Sequence, residues 1–139
     1  MDLLVNLYDM PIRQDNPLLE QAGVRILRAL APDRETILTF VQKHFGQGWT
    51  GECATALARN PASCFIAIQD NHLLGFACYD ATARGYFGPI GVMVEQHIPG
   101  TGGALLRRCL TAMREEGYGY AIIGNGSRVQ KFYEKNAGK

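Results

Sequence analysis

The stretch from Tyr86 to Gly117 most constrains how this chain folds. An apolar run broken by Gly88, Pro89 and Gly91 leads into Gln96-His97-Ile98-Pro99-Gly100-Thr101-Gly102-Gly103, and a helical pattern follows. Eight of the sixteen glycines fall between Gly85 and Gly119, which marks this region for unusual backbone geometry and close approach. Leu106, Cys109, Leu110 and Met113 lie on one helix face, while Arg107, Arg108 and Arg114 lie largely off it, and Gly117 stops the helix. A helix start leaves four backbone N–H groups unpartnered and carries about half a positive charge. Glycines just before it let a ligand reach those groups, which makes an anion site, most often for phosphate. The same glycines also suit a plain tight turn. A P-loop is excluded because Ala104, not Lys, follows Gly103, and a dinucleotide fingerprint is excluded because its third glycine falls on Leu105.

The rest of the chain sets the order of elements. Residues 1–23 read as a loosely organised lead-in, punctuated by Pro11 and Pro17. The spacing predicts a strand over 24–30. A helix then follows Asp33 as N-cap, with Ile37, Phe40, Val41, His44 and Phe45 on one stripe and Gly46 ending it. Thr50 is expected to cap a second helix carrying Ala54, Leu57 and Ala58, which must stop before Pro61. Two apolar runs, 64–69 and 72–79, flank Asp70-Asn71 and predict a β-hairpin. Residues 86–94 predict a strand with a bend or bulge, 120–124 a short buried strand, and Ser127 the start of a last helix with Val129, Phe132 and Tyr133. The result is an α/β chain, β-α-α-β-β-β-α-β-α, with a mixed sheet and helices on its faces. At 139 residues it is one domain, 1–139.

Composition excludes several classes. Hydrophobic residues at 47% and charged residues at 19% are too apolar a mixture for disorder. A net charge of +1 gives no footprint for nucleic acid or an anionic membrane, and no apolar run approaches the ~20 residues of a membrane span. Cys53, Cys64, Cys78 and Cys109 form no C-x-x-C pair, and the N-terminus lacks the pattern of a signal peptide. They read as reduced, mostly buried thiols of a cytoplasmic protein. His44, His72 and His97 are scattered, so no metal site is expected.

His97-Ile98-Pro99-Gly100-Thr101-Gly102 resembles the acyl-CoA loop, R/Q-x-x-G-x-G/A, of the GNAT-type N-acetyltransferases. Gly103-Ala104-Leu105-Leu106 follows where that family has an apolar helix start, and Phe132-Tyr133-Glu134-Lys135 is similar to its F-Y-x-K helix. The phrases Phe76-Ala77-Cys78-Tyr79-Asp80 and Tyr86-Phe87-Gly88-Pro89 resemble small bacterial members, and the order of elements from 24 to 134 matches. The resemblance implies a GNAT-like acyl-CoA acyltransferase fold and an acetyl-CoA-dependent N-acetyltransferase acting on a primary amine by direct transfer. Val92, Met93 and Val94 would offer backbone N–H groups to the pantetheine and thioester. His97, Gly100, Gly102, Gly103 and Ala104 would hold the pyrophosphate. Tyr133 would protonate the leaving thiolate and Glu95 would serve as base, with Asp80 or a water chain as competitors. Trp49 falls where the family walls its acceptor site.

The chain departs from the family at His97 for Arg or Gln, at Ile98 and Pro99 in the loop, and at its end, where one or two further strands are usual. Without those strands the edge beside 120–124 would be open, and the expected cover is a second copy in a homodimer. A catalytically degenerate member that binds CoA or a protein partner is the competing reading, and an unrelated phosphate-binding module is a third.

Overall fold

The computed structural model describes residues 2–11, 14–95 and 98–124, and its sheet grows outward from the hairpin. Strands β3 (Cys64–Gln69) and β4 (His72–Tyr79) pair antiparallel, with Gln69 opposite His72. Asp70 (φ 51°) and Asn71 (φ 64°) are both left-handed, the conformation that matches a two-residue turn to strand twist. Residues 24–28 form β2, antiparallel to β3 and two residues shorter than its apolar pattern. On the other side β5 (Tyr86–Val92) runs antiparallel to β4. Between the pairs Tyr79–Phe87 and Ala77–Ile90, β5 advances one residue more than β4, so the expected bulge falls at Gly88-Pro89.

Helix α2 (Arg34–Phe45) ends at Gly46 (φ 98°), as its stripe predicts. Two capping expectations are corrected. Asp33 does not cap forward; its carboxylate turns back to accept the Leu30 N–H at 3.0 Å, which closes the short 3₁₀ turn before α2. Helix α3 (Gln47–Leu57) starts three residues before Thr50, whose hydroxyl instead donates to the Gly46 carbonyl at 2.8 Å inside the first turn. Helix α4 (Thr101–Glu115) is closed by the N–H of Tyr118 on Met113 and that of Gly117 on Arg114, both at 3.0 Å, with Gly117 at φ 104°. Only a residue free of a Cβ penalty takes that conformation without strain.

The lead-in contains a strand and a helix, which its sequence does not lead one to expect. Residues 3–6 form strand β1, and Pro17–Gln21 form helix α1, capped by the Asn16 side chain on the Leu18 N–H. Strand β6 (Tyr120–Ile123) lies parallel to β5, and β1 pairs antiparallel along its far edge from Leu3–Ile123 to Asn6–Tyr120. The sheet order is therefore β1-β6-β5-β4-β3-β2. The edge of 120–124 that was expected to be open is closed from within the chain, which removes the basis for expecting a homodimer there. A six-stranded mixed sheet carries α4 on one face and α2 with α3 on the other. Phe65, Ala67, Ala77 and Tyr79 face α4, while Cys64, Ile66, Phe76 and Cys78 face α2 and α3, the period-2 alternation of strands covered on both sides. The last helix expected after Ser127 lies outside the described residues. No helix among those described is long and apolar enough to cross a membrane.

Val5 and Leu7 are 1% and 0% exposed, so the N-terminal segment belongs to the core. Leu7→Ala is expected to destabilise the fold by about 2–5 kcal/mol, read from denaturant unfolding, whereas Leu4→Ala at an exposed position of the same strand stays within about 0.5 kcal/mol.

Candidate functional site

Among the described residues the parallel ladder between β5 and β6 holds two residue pairs, Tyr86–Ile122 and Phe87–Ile123. N–H directions alternate along a strand, and the Met93 N–H donates to the Leu74 carbonyl on β4 at 2.8 Å. The backbone groups of Val92, and of Ile90 before it, therefore point away from β4. Of the three donors expected from this strand, Met93 is already occupied within the sheet, Val92 points to the side away from β4, and Val94 stands exposed just past the strand end. Ile90 was missed, and only the pairing register identifies it.

Helix α4 follows β5 after an eight-residue connection, Met93 to Gly100. Gly100 is its N-cap, left-handed at φ 95°, and a Cβ there would lie 2.6 Å from the Asn16 Cβ. Glycine is required twice over at this position, by conformation and by space. Thr101 is fully buried, and both its N–H (3.2 Å) and its hydroxyl (2.7 Å) donate to the Ile98 carbonyl, which locks the loop into the helix. The Ala104 N–H donates to the Gly100 carbonyl at 3.0 Å, the first internal link of the helix. That leaves Gly102 and Gly103, first-turn residues for which an α-helix has no acceptor of its own. Ile98 is half-buried and packs on the core beneath α4, so its bulk serves as an anchor rather than an obstruction. Asp15, beside Asn16, accepts from Arg107 at 2.8 Å and ties the N-terminal segment to this end of α4.

An aromatic wall borders the other side of β5. The Phe45 ring covers Gly91, where a Cβ would lie 2.7 Å from it. Trp49 stacks on Phe45 at 5.6 Å with an interplanar angle of 26°, and both lie near Phe76 at 5.6 and 6.1 Å. Trp49 is 38% exposed, so it is at once an anchor for α3 and a surface on the wall. Gly91 had signalled a bend; its tertiary meaning is room for this ring.

The carboxylates separate by position. Glu95 is exposed just beyond β5. Asp80 lies at the opposite end of β4, next to the Tyr79–Phe87 pair, and is 5% exposed. It accepts from the Gly85 N–H at 2.7 Å and from the Tyr118 hydroxyl at 3.0 and 2.9 Å, which is a structural role in the left-handed turn at φ 55°. Close by, Tyr79 bonds Glu116 and accepts from Arg28 at 3.1 Å; burial first, then the Glu116 bond, pushes its phenol up to about 12. His97 and Tyr133 lie outside the described residues.

The family model for the acetyltransferase (GNAT) family matches residues 26–138. No curated protein is matched by the sequence. Among solved structures, a GCN5-related glucosamine N-acetyltransferase region of a fungal multi-domain β-N-acetylglucosaminidase superposes with a TM-score of 0.75 at 12% identity, over 98% of this chain and 19% of that one. A GCN5-related N-acetyltransferase from Kribbella flavida gives 0.62 at 18% identity, over 90% and 47%. A GNAT family acetyltransferase from Brucella melitensis in complex with acetyl-CoA gives 0.53 at 19%, over 77% and 81%. This chain thus spans less than half the length of the first two, and at these identities the likeness is one of fold.

The Tyr79 environment carries a pH prediction. The unfolded chain releases the Tyr79 proton near pH ~10 and the folded chain near 12, so the folded state binds more protons in that window and stability falls as pH rises through it. Tyr79→Phe should make that alkaline fall shallower, measured as the unfolding midpoint at a series of pH values. Asp80→Asn should lower stability because Tyr118 and Gly85 lose their charged acceptor.

Proposed function

We propose, since the chain belongs to the acetyltransferase (GNAT) family, that it moves an acetyl group from acetyl-CoA to a primary amine, by direct transfer in a ternary complex. The observation that carries this reading is the glycine-capped start of α4 after β5, with Gly102 and Gly103 in its first turn. A thioester needs backbone donors beside it, and a pyrophosphate needs unpartnered N–H groups at a helix start; Val92 and the first turn of α4 would supply them. Val92 is the donor for the pantetheine and thioester side. Gly102 and Gly103, with Gly100 shaping the turn and His97 beside it, form the pyrophosphate cradle.

In the reaction a neutral amine attacks the thioester carbonyl, a tetrahedral oxyanion forms, and the C–S bond breaks with release of the CoA thiolate. Glu95 takes the ammonium proton as base, directly or through water, and Tyr133 delivers a proton to the departing sulfur. A thiol is a fair acid, with pKa ~8.5, so the thiolate leaves readily and the contribution of Tyr133 is modest. The acceptor is a small amine or a peptide amino group, and the wall of Phe45 and Trp49 borders its approach. The four cysteines have free thiols, which fits a reducing compartment such as the cytoplasm.

A second reading rests on the loop itself. Pro99 has no N–H, and those of Thr101 and Ala104 are engaged, so the cradle is smaller than the motif implies. A chain with this loop could bind CoA, or a protein partner, without turnover.

The melting temperature with and without acetyl-CoA tests the site, with ADP as control. At 100 times its Kd the ligand stabilises by about 2.7 kcal/mol, a shift of several degrees for a domain of this size. A shift that ADP does not reproduce is expected, and no shift at millimolar ligand overturns the assignment. On a panel of amines, Tyr133→Phe and Glu95→Gln should each lower kcat by about 10²-fold while leaving the acetyl-CoA shift in place. A shift without turnover on any amine supports the binding reading instead.

A further inference from the structure

The three cysteines of the face opposite α4 come together although they are far apart in sequence. Cys53 on α3, Cys64 on β3 and Cys78 on β4 are each fully buried, and their sulfur atoms all lie within 4.8 Å of one another. Cys64 and Cys78 are direct cross-strand partners. The neighbouring pair, Ser63 and Tyr79, is joined by the Tyr79 N–H on the Ser63 carbonyl at 3.0 Å, so Cys64–Cys78 is the closer, non-hydrogen-bonded kind of pair. Cys53 is carried over this pair by α3. A point equidistant from the corners of such a triangle lies at most about 2.8 Å from each sulfur, against the ~2.3 Å of a zinc–thiolate bond. Small rotations of the three side chains close that difference.

We propose that Cys53, Cys64 and Cys78 form an all-thiolate site for a divalent d¹⁰ metal ion of the zinc group. Three sulfur donors with no nitrogen or carboxylate among the grouped ligands select a soft, thiophilic ion. Arg34 donates to the carbonyl of Ala54, next to Cys53, at 3.4 Å, which places a positive charge beside the cluster. On binding, three metal–sulfur bonds form as three S–H bonds break, and the protons leave to solvent. Three thiolates with a divalent ion carry a net charge of minus one, which lies beside Arg34.

Such an ion would staple α3 to the middle of the sheet. Trp49 lies four residues before Cys53 on the same helix face, so the staple also fixes the indole that stacks on Phe45. The sulfurs are sealed from solvent, and an ion enters during folding or when α3 lifts.

The test uses the full chain, reduced, freed of metal, kept anaerobic, and refolded with Cd(II) as a spectroscopic probe and Zn(II) as competitor. We expect one Cd(II) per chain with sulfur-to-metal charge-transfer absorption, three sulfur neighbours by X-ray absorption, release of protons on binding near neutral pH, and a change in Trp49 emission. Zn(II) should displace the probe. Cys53→Ala, Cys64→Ala and Cys78→Ala should each abolish the absorption, and Cys109→Ala, on the other face of the sheet, should leave it intact. No stoichiometric binding, fewer than three sulfur neighbours, or equal loss in Cys109→Ala overturns the proposal. The sulfur count is taken on the unaltered chain and holds even if a variant fails to fold.

Discussion

Backbone direction in β5 decides which groups the candidate site has to work with: Met93 bonds to Leu74 on β4, so Ile90 and Val92 turn to the opposite side. Gly88 and Pro89 add a residue on the β5 side between the Tyr79–Phe87 and Ala77–Ile90 pairs and so set that phase. Helix α4 then begins after Gly100, and its first turn carries N–H groups for which the helix has no acceptor.

The sheet is held on both sides of β5. On one side the hairpin of β3 and β4 is buried on both faces and carries most of the core. On the other, β6 is only four residues long and has little pairing to β5. Strand β1 makes up the deficit, running the whole length of β6 while Val5 and Leu7 fill space beneath α4. The N-terminal segment then crosses to α4, where Asn16 touches Gly100 and Asp15 pairs with Arg107. One segment thus supports both the weak edge and the candidate phosphate end. On the opposite face, α3 is anchored by aromatic stacking and by the cysteine cluster, and its contacts there lie against β3 and β4.

Local signals in the sequence were legible where the physics is local. The Asp70-Asn71 turn, the stop at Gly46, the Gly117 cap and the bulge at Gly88-Pro89 follow from backbone preferences of neighbouring residues, and each lies where its residues indicate. Other signals were read at the right place with the wrong partner. Asp33 and Thr50 are good capping residues, yet Asp33 bonds backward and Thr50 sits inside a helix that Gly46 already started. Residues 1–23 looked unstructured because a four-residue strand and a five-residue helix are too short to show a period. Asp80 reads as a candidate base by type alone, and only its bonds to Gly85 and Tyr118 reveal a turn-holding role.

By itself the sequence determined the order of elements from 24 to 123, the glycine-rich start of α4 and the family resemblance, because these are carried by contiguous residues and near-neighbour sterics. Tertiary structure alone decided which donors remain for a ligand, because Met93 and Ala104 are engaged through register and helix phase. It also decided what covers β6, why Gly91 must be glycine, and that Cys53, Cys64 and Cys78 meet. Each of these is a contact between residues distant in the chain, and such contacts are fixed only when the sheet has chosen its register and the helices their faces.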